Sequence, residues 1–418
     1  MDTISNAITR IVDKLARLRR EGRERHTEQL GVSSHRFQMS PPARSKEIAE
    51  FERLHGVSLP EDYRAFLTTV GNGGAGPYYG ILPLARWNDA LVADPVPRDL
   101  LARPCPLPAG FKPGKEWLEQ LGCTPDEAWQ GTIALAHQGC AYYALLVVSG
   151  ALRGRIVYVS LDDLPPYVVT DASFLAWYER WLDETLADLE IFWFGMGPGG
   201  SDEHLMADLT LKSPRARAIA ASELGRRKRP SPEITGALVH ACRDPAVEVR
   251  AAALSALRYS GSVGVTVGIA ALDDPYLEVR NAASWILRRL RDASAANALQ
   301  DALALATDSD EFFGIGCALG DINGLRVADL APHAASLDDR VRGSVAYFLG
   351  KTGDPAAVTP LSALLHDAVA RVRLNAVQAL EKVGAARARS ALEAQREVET
   401  DALVRSNVER VIRESSRG

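Results

Sequence analysis

From about residue 205 to the C-terminus, hydrophobic residues recur at helical spacing, and the whole pattern repeats every 30 to 33 residues. Apolar or small residues stand three and seven positions after each anchor, and second amphipathic segments such as 233–244 lie between anchors. The anchors are Arg217, Arg250, Arg280, Phe312, Arg342, Arg373 and Arg405. This periodicity predicts stacked helix pairs, because a single pair cannot bury its own apolar stripe.

The repeat pattern resembles the HEAT-repeat family, in the short form first noted in bilin lyases. The resemblance implies an all-α solenoid over residues 205–418, with about seven helix pairs. Because such solenoids mostly serve as binding scaffolds, the resemblance says more about fold than about function.

The N-terminal half mixes helical and strand patterns. Residues 1–46 begin with an amphipathic helix, in which Ile8 and Leu15 share one face, and continue as a basic extension. Two short amphipathic helices follow, the second ending at Gly71. Strands are predicted over 78–84 and in three segments between 131 and 163, and a further amphipathic helix over 173–186.

This half also carries a distinctive motif, made of Ile48, Phe51, Glu52, Leu59, Pro60, Tyr63, Arg64, Phe66, Leu67, Asn72, Gly73 and Gly74. Together with the downstream strands and the final helix, the motif closely resembles the bacterial form of the SUKH superfamily, which is named for a fungal cell-wall synthesis regulator. The resemblance implies an α+β domain with an antiparallel-rich sheet over residues 47–190. The chain is therefore expected to be a multidomain protein.

Two segments depart from regular patterns. Residues 88–128 are rich in Pro and Gly and are expected to be an insertion in the SUKH-like domain, where loops often determine partner choice. Residues 191–204 are an aromatic and then Gly/Pro-rich linker between the two halves. Because Phe192, Trp193 and Phe194 are costly to expose, they are expected to pack on a neighbouring domain.

Charge is distributed unevenly along the chain. The net charge is −5 overall, but residues 47–204 carry 22 acidic against 10 basic residues. An acidic domain is compatible with a solvated surface or with attraction to a basic partner, and it disfavours nucleic acid. No apolar run is long enough to span a membrane, and no signal-peptide pattern is present. A cytoplasmic protein with free thiols is expected, because the five cysteines lie far apart.

The sequence offers no constellation for catalysis. Gly71, Gly73 and Gly76 spell a GxGxxG, but a dinucleotide site needs a strand before the loop and a helix after it, and here that order is reversed. His137 and Cys140 are three residues apart without an orienting third group. We expect no enzyme activity, no cofactor and no metal, although a hidden active site stays open as an alternative.

The SUKH resemblance implies a bacterial immunity protein, since many bacterial members bind and neutralise polymorphic toxins, often nucleases. The expected partner is a protein, and a basic toxin domain bound through acidic residues of the SUKH-like domain is the specific candidate. The acidic candidates are Glu61, Asp62, Asp162, Asp163 and Asp171.

The alternative is a scaffold or regulator that binds its partner in the solenoid groove. Its candidate residues are Trp285, Arg289, Tyr347 and Lys351, which lie outside the apolar stripe of their helices and have the composition of binding hot spots. The two aromatic residues are equally compatible with covering the seams between helices. The sequence leaves the oligomeric state and the choice between the two surfaces open.

Overall fold

The computed structural model describes residues 3–25, 31–90, 96–162 and 164–415. The chain divides into two compact units. Unit 1 consists of Met1–Gly200 together with Arg226–Lys228, and unit 2 consists of Ser201–Gly225 and Arg229–Gly418. The domain boundaries given above stay predictions.

Unit 1 is an α+β structure, as predicted. Its helices are α1 (Ile4–Arg25), α2 (Val32–His35), α3 (Ser45–His55), α4 (Glu61–Thr69), α5 (Trp117–Leu121) and α6 (Phe174–Leu186). Its strands are β1 (Thr132–Gly139), β2 (Tyr142–Val147), β3 (Ile156–Ser160) and β4 (Tyr167–Val168). The strands form one antiparallel sheet in the order β1-β2-β3-β4. The short strand β4 lies outside the segments that the sequence predicts as strands.

Both faces of this sheet are covered over most of its length, which explains why most positions of its strands are apolar and buried. One face packs on a helical core that includes Trp177 and Trp181 of α6. The other face packs on Trp117 and Trp129, which belong to or adjoin the Pro/Gly-rich segment. The segment predicted to be an insertion therefore shields one side of the sheet from water, and burial of that apolar surface stabilises unit 1.

The basic N-terminal helix neutralises part of the acidic surplus of unit 1. Arg10 Nε and Lys14 Nζ each lie 2.7 Å from Glu179 Oε1, and Lys14 Nζ lies 2.6 Å from Asp183 Oδ1. Ile11 and Leu18, on the apolar side of α1, are fully buried. The acidic character seen along the sequence is therefore partly used within the unit, and only some acidic side chains face solvent.

The glycine-rich loop after α4 is a turn that leads toward the sheet. Gly73 and Gly74 have φ angles of 96° and 112°, which favour glycine. At Gly71, where φ is negative, a Cβ atom would lie 2.5 Å from the carbonyl oxygen of Ser40, so close backbone packing requires glycine there. The strand predicted over 78–84 is wrong, since Ile81 forms isolated bridges and the chain turns on both sides of it.

Unit 2 is a run of helices, as the repeat pattern predicts. They are α7 (Asp202–Asp208), α8 (Pro214–Leu224), α9 (Pro232–Ala241), α10 (Val247–Ala256), α11 (Gly261–Ala271), α12 (Leu277–Leu290), α13 (Ala296–Leu305), α14 (Ser309–Asp321), α15 (Val327–Leu330), α16 (Asp339–Thr352), α17 (Val358–Leu364), α18 (Ala370–Gly384), α19 (Arg389–Val398) and α20 (Ala402–Ser415). The anchors lie on the even-numbered helices from α8 to α20, and these helices contact one another in sequence. Their apolar stripes form one continuous core.

The anchor arginines link successive repeats. At Arg342, Nη1 donates to the carbonyl oxygens of Ser336 and Leu337 at 2.9 and 3.2 Å, in the turn of its own repeat. Nε and Nη2 of the same side chain reach the carboxylate of Asp367 in the next repeat at 2.5 and 3.0 Å. The corresponding pairs are Arg217–Asp244, Arg250–Asp274, Arg280–Glu311 and Arg373–Glu399. These arginines therefore hold the solenoid together and are not available to a ligand.

The anchor at position 312 departs from this arrangement. Phe312 is fully buried and packs on the ring of His333 at 4.9 Å and near Phe348 at 6.5 Å between centroids. Gly316, one turn further along α14, makes room for Phe348, because a Cβ atom would lie 2.3 Å from that ring. Apolar packing replaces the arginine at this one repeat junction.

Candidate functional site

Two of the acidic candidates lie at the start of α4. Glu61 is the exposed first residue of that helix. Asp62 faces inward, where its Oδ2 accepts a hydrogen bond from the backbone N–H of Leu175 at 3.1 Å and its Oδ1 one from Tyr63 at 2.8 Å. The carboxylate of Asp62 therefore joins α4 to the first turn of α6, where a helix favours negative charge. Glu61 remains open to a partner, whereas Asp62 has a structural role.

The other acidic candidates follow β3. Asp162 is exposed, and Asp163 lies outside the described residues. Asp171 pairs with Arg180, whose Nη2 lies 2.6 Å from its Oδ2, and both side chains are largely buried. Burial raises the pKa of Asp171 although the charge of Arg180 opposes this. Asp171 is therefore bound within the unit, and Asp162 is the described acid of this group that faces solvent.

Beside Asp162 lies a cleft of about 580 Å³ that is lined mainly by aromatic side chains. We refer to it as the aromatic cleft. It is formed by four separate segments, and its rings are those of Tyr78, Tyr79, Tyr142, Tyr158, Tyr167, Phe192 and Trp193. Ser160 and Leu164, which stand two residues on either side of Asp162, also line it. Its volume is within the range of ordinary ligand sites.

The prediction that all three aromatic residues of the linker pack on a neighbouring domain is wrong for two of them. Phe194 is buried in the core of unit 1, as expected, but 51% of Phe192 and 67% of Trp193 are exposed. These two rings contact each other edge to face, with centroids 5.0 Å apart. A pair of large rings left in water is costly unless something covers it.

The cleft offers ring surfaces and few polar groups. The hydroxyl of Tyr78 donates to the carbonyl oxygen of Phe194 at 2.9 Å, and that of Tyr158 accepts from Trp177 Nε1 at 3.0 Å. Burial raises the pKa of both phenols well above its ordinary value, so both stay neutral. In contrast, Gln138 Nε2 is buried and has no hydrogen-bond partner among the described residues. The lining contains no charged side chain.

The solenoid candidates lie on a second aromatic surface. Trp285 on α12 is 46% exposed and Tyr347 on α16 is 37% exposed. Lys351 Nζ lies 5.3 Å from the ring centroid of Tyr347, and the guanidinium of Arg289 lies 5.8 Å from that of Tyr259. The structure thus places Tyr347 with Lys351, but it pairs Arg289 with Tyr259 and not with Trp285.

Further side chains that the sequence left unassigned belong to this surface. Phe313 of α14, 44% exposed, lies 6.1 Å from Tyr347 between ring centroids. Lys382 of α18 approaches the same tyrosine at 5.9 Å. The one signal in the sequence that could have identified Phe313 as part of this surface is its position directly after an anchor.

The pair of His137 and Cys140 does not form a nucleophile and base. His137 Nε2 lies 3.1 Å from the carbonyl oxygen of Cys140, so its hydrogen bond is to the backbone and not to the thiol. Cys140 is exposed at the β1–β2 turn, and all five cysteines are free. Across the described ranges, no group of three or more His, Cys, Asp or Glu side chains is arranged to hold a metal ion.

Within the part of the chain that the structure describes, no helix combines the length and the apolar character needed to cross a bilayer.

Comparison with known proteins assigns both regions. The model of the SMI1/KNR4 family (SUKH-1) matches residues 42–180, and a HEAT-repeat model matches residues 327–413. No curated protein sequence matches.

Several solved structures are weakly similar. The complex of CpcE and CpcF of phycocyanin lyase from Nostoc sp. PCC7120 is 21% identical over 52% of this chain and 96% of that chain, with a TM-score of 0.34. Human deoxyhypusine hydroxylase in complex with glycerol is 21% identical over 53% and 87%, with a TM-score of 0.27. A designed armadillo repeat protein is 18% identical over 51% and 98%, also with a TM-score of 0.27. All three scores are too low to carry an argument.

The family assignments agree with the folds observed. A four-stranded antiparallel sheet with helices coincides with the SUKH-1 match, and the helical C-terminal region coincides with the HEAT match. Both families support a role in protein interaction. The chain therefore joins a SUKH-1 domain of the SMI1/KNR4 family to a region of HEAT repeats.

Proposed function

We propose that this protein is a non-enzymatic binding protein that neutralises a protein toxin, and that the SUKH-1 domain makes the contact. The observation that carries the proposal is the aromatic cleft with exposed Asp162 at its edge. Large exposed rings surrounded by polar residues are typical of protein-binding hot spots. The immunity role rests on the resemblance to bacterial SUKH proteins, and a basic toxin such as a nuclease suits the acidic edge.

Neutralisation of this kind needs contact and no chemistry. Asp162 and Glu61 face solvent and make no side-chain bond among the described residues, so they are available to guide a basic partner. The adjacent Asp163 belongs to the same acidic segment by sequence. The rings of the cleft then supply the buried contact that sets the dissociation rate.

Co-expression with the toxins encoded beside the gene tests this function. We expect the chain to restore growth of cells that produce one of them, and Trp193→Ala to weaken that toxin's binding at least tenfold. Trp285→Ala is the matched control, since it removes an exposed tryptophan from the HEAT unit. Charge reversal at Asp162 and Asp163 to Lys is expected to slow association. The association rate should also depend less on salt concentration than in the parent chain. Growth arrest by every such toxin despite expression of the chain would contradict the immunity role.

A second candidate function is a scaffold that uses the HEAT unit. The observation that favours it is the row of exposed rings on successive helices, Trp285, Phe313 and Tyr347. If partner binding is lost in Trp285→Ala and Tyr347→Ala but kept in Trp193→Ala, the scaffold function replaces the first proposal.

A further inference from the structure

We propose that the aromatic cleft binds an arginine side chain carried on an extended segment of the partner, with Gln138 bonding a main-chain carbonyl oxygen of that segment. This inference rests on the proposed function in one respect, namely that the partner is a protein. It goes further by naming the chemistry that the cleft recognises.

The rings explain why the occupant is a cation. Aromatic faces carry partial negative charge and attract ammonium or guanidinium groups. Among the described residues, no Lys or Arg lies over Tyr79, Tyr142 or Trp193, although the chain covers exposed Tyr347 and half-buried Tyr259 in this way. The cleft is lined by no charged side chain, and exposed Asp162 stands between two of the lining residues, Ser160 and Leu164. A cation that enters therefore meets ring faces and a nearby counter-charge.

The shape of the cleft favours arginine over lysine. A guanidinium is planar, stacks on aromatic faces and is more weakly hydrated than an ammonium group. The exposed rings of Tyr79, Tyr142 and Trp193 offer flat surfaces of this kind. A lysine would have to give up a firmly bound water shell in a cleft that offers few polar partners in return.

Gln138 explains why the arginine comes on a peptide. Its buried Nε2 needs an acceptor, and the nearby hydroxyls of Tyr78 and Tyr158 already bond within the unit. An arginine side chain has donors only, so it does not satisfy this group. A main-chain carbonyl oxygen does, once the Gln138 side chain, which lines the cleft, turns to bring its buried Nε2 to the opening. The volume of about 580 Å³ accommodates more than one side chain, as an extended segment requires.

Cys140 provides a direct readout of occupancy. It lines the cleft and is exposed, whereas Cys105 and Cys317 are buried. The experiment measures alkylation of Cys140 in the full chain by mass spectrometry, in the presence of capped pentapeptides with a central arginine. Each peptide is paired with the same sequence carrying citrulline, which has the same shape without the charge, and with one carrying lysine.

The proposal predicts that some arginine peptides slow alkylation of Cys140 at least threefold, and that the citrulline and lysine partners do so much less. Equal protection by citrulline would show that the cleft binds apolar groups without reading charge, and equal protection by lysine would overturn the preference for arginine. Absence of protection by every arginine peptide would overturn the site itself.

Substitutions locate the binding within the cleft. Trp193→Ala and Tyr142→Ala are expected to weaken the best arginine peptide at least fivefold, measured by fluorescence anisotropy, and Gln138→Leu to weaken it severalfold. Because Trp193 and Tyr142 are exposed, these variants are expected to keep the parent melting temperature. Tyr276→Ala, at an exposed tyrosine that belongs to neither candidate surface, is the control and should leave the peptide affinity unchanged. Unchanged affinity in folded Trp193→Ala and Tyr142→Ala would place the peptide elsewhere and overturn the proposal.

The outcome is separable from that of the proposed function. Arginine peptides that bind in the cleft, with no toxin neutralised, would keep this inference and reject the immunity role. A neutralised toxin whose affinity is unaffected by the cleft variants would keep the immunity role and reject this inference.

Discussion

Both units expose aromatic rings, but they differ in what covers those rings. In the HEAT unit, Tyr347 lies beneath Lys351 and Lys382, and Tyr259 beneath Arg289. Among the described residues, the exposed rings of Trp285 and Phe313 in that unit have no cation over them. In the SUKH-1 unit, the exposed rings of Tyr79, Tyr142 and Trp193 have no such cation among the described residues. Exposure alone therefore does not define a binding site. Rings that the chain already pairs with its own cations have less interaction energy left for a partner than rings that it leaves uncovered.

The largest effect is expected from removing a charge that the HEAT unit uses internally. We expect Arg373→Ala to lower the free energy of unfolding of that unit by about 3–5 kcal/mol, because the buried carboxylate of Glu399 loses its partner. Hydrogen exchange followed by mass spectrometry measures the effect on HEAT peptides separately from SUKH-1 peptides.

The matched control is Arg340→Ala, since Arg340 pairs with Asp310 at a site where the two side chains are 67% and 69% exposed. Its cost is expected to stay below about 1 kcal/mol. Equal losses in the free energy of unfolding for the two variants would show that the anchor arginines do not hold the solenoid together.

The next largest effect expected is a difference between the two units in how acid lowers their stability. Burial lowers the pKa of His35 to about 4 from an ordinary 6.5, so the unfolded SUKH-1 unit binds a proton more readily. Its stability should fall as the pH drops from about 6.5 to 4. Arg373 lowers the pKa of Glu399 to about 2 from an ordinary 4.5, so the loss due to Glu399 in the HEAT unit begins only below about pH 4.5. His333, whose pKa burial lowers, adds a smaller loss in that unit below about pH 6.5.

Each shift corresponds to about 3 kcal/mol. Urea unfolding at several pH values, with hydrogen exchange to distinguish the units, measures both. The variant His35→Asn should flatten the dependence between pH 6.5 and 4 in the SUKH-1 unit and leave the HEAT unit unchanged. A HEAT unit that weakens first would contradict the prediction.

The smallest expected effect concerns the covered ring. A double-mutant cycle between Lys351→Ala and Tyr347→Leu should give a coupling energy of about 0.5–1 kcal/mol, the usual value for an exposed cation–π pair. Thermal or urea unfolding measures it. A coupling energy of zero would mean that Lys351 does not interact with the ring of Tyr347. This ring would then have to be counted among the uncovered ones.

Much of the fold is predictable because it is coded locally. The anchor spacing identifies the solenoid, since each repeat must bury the same stripe against its neighbours, and the apolar segments near 132–160 identify β1 to β3. The failure over 78–84 also has a physical reason. Its apolar residues suggest a strand, but Tyr78 and Gly80 have positive φ angles and Pro83 has no amide hydrogen to donate.

The candidate site was less predictable because it is assembled from distant segments. Asp62 and Asp171 look like Asp162 in the sequence, yet their partners, Leu175 and Arg180, become visible only in the fold. Likewise, Tyr79, Tyr142 and Trp193 share no spacing that would have predicted a common cleft. The anchor arginines were found by their period, but their pairing with the next repeat depends on how the helices stack.

Phe312 has a consequence for how the solenoid comes apart. The linked arginine pairs form one series up to Arg280–Glu311 and a second from Arg342–Asp367 onward, with an apolar joint between them. The ion pair that crosses this joint, Arg340–Asp310, is exposed and contributes little. Acid that protonates these carboxylates removes the ionic links on both sides of the joint and leaves the apolar packing at the joint in place. Two kinds of linkage therefore hold successive repeats in line, ion pairs at most junctions and packed rings at this one.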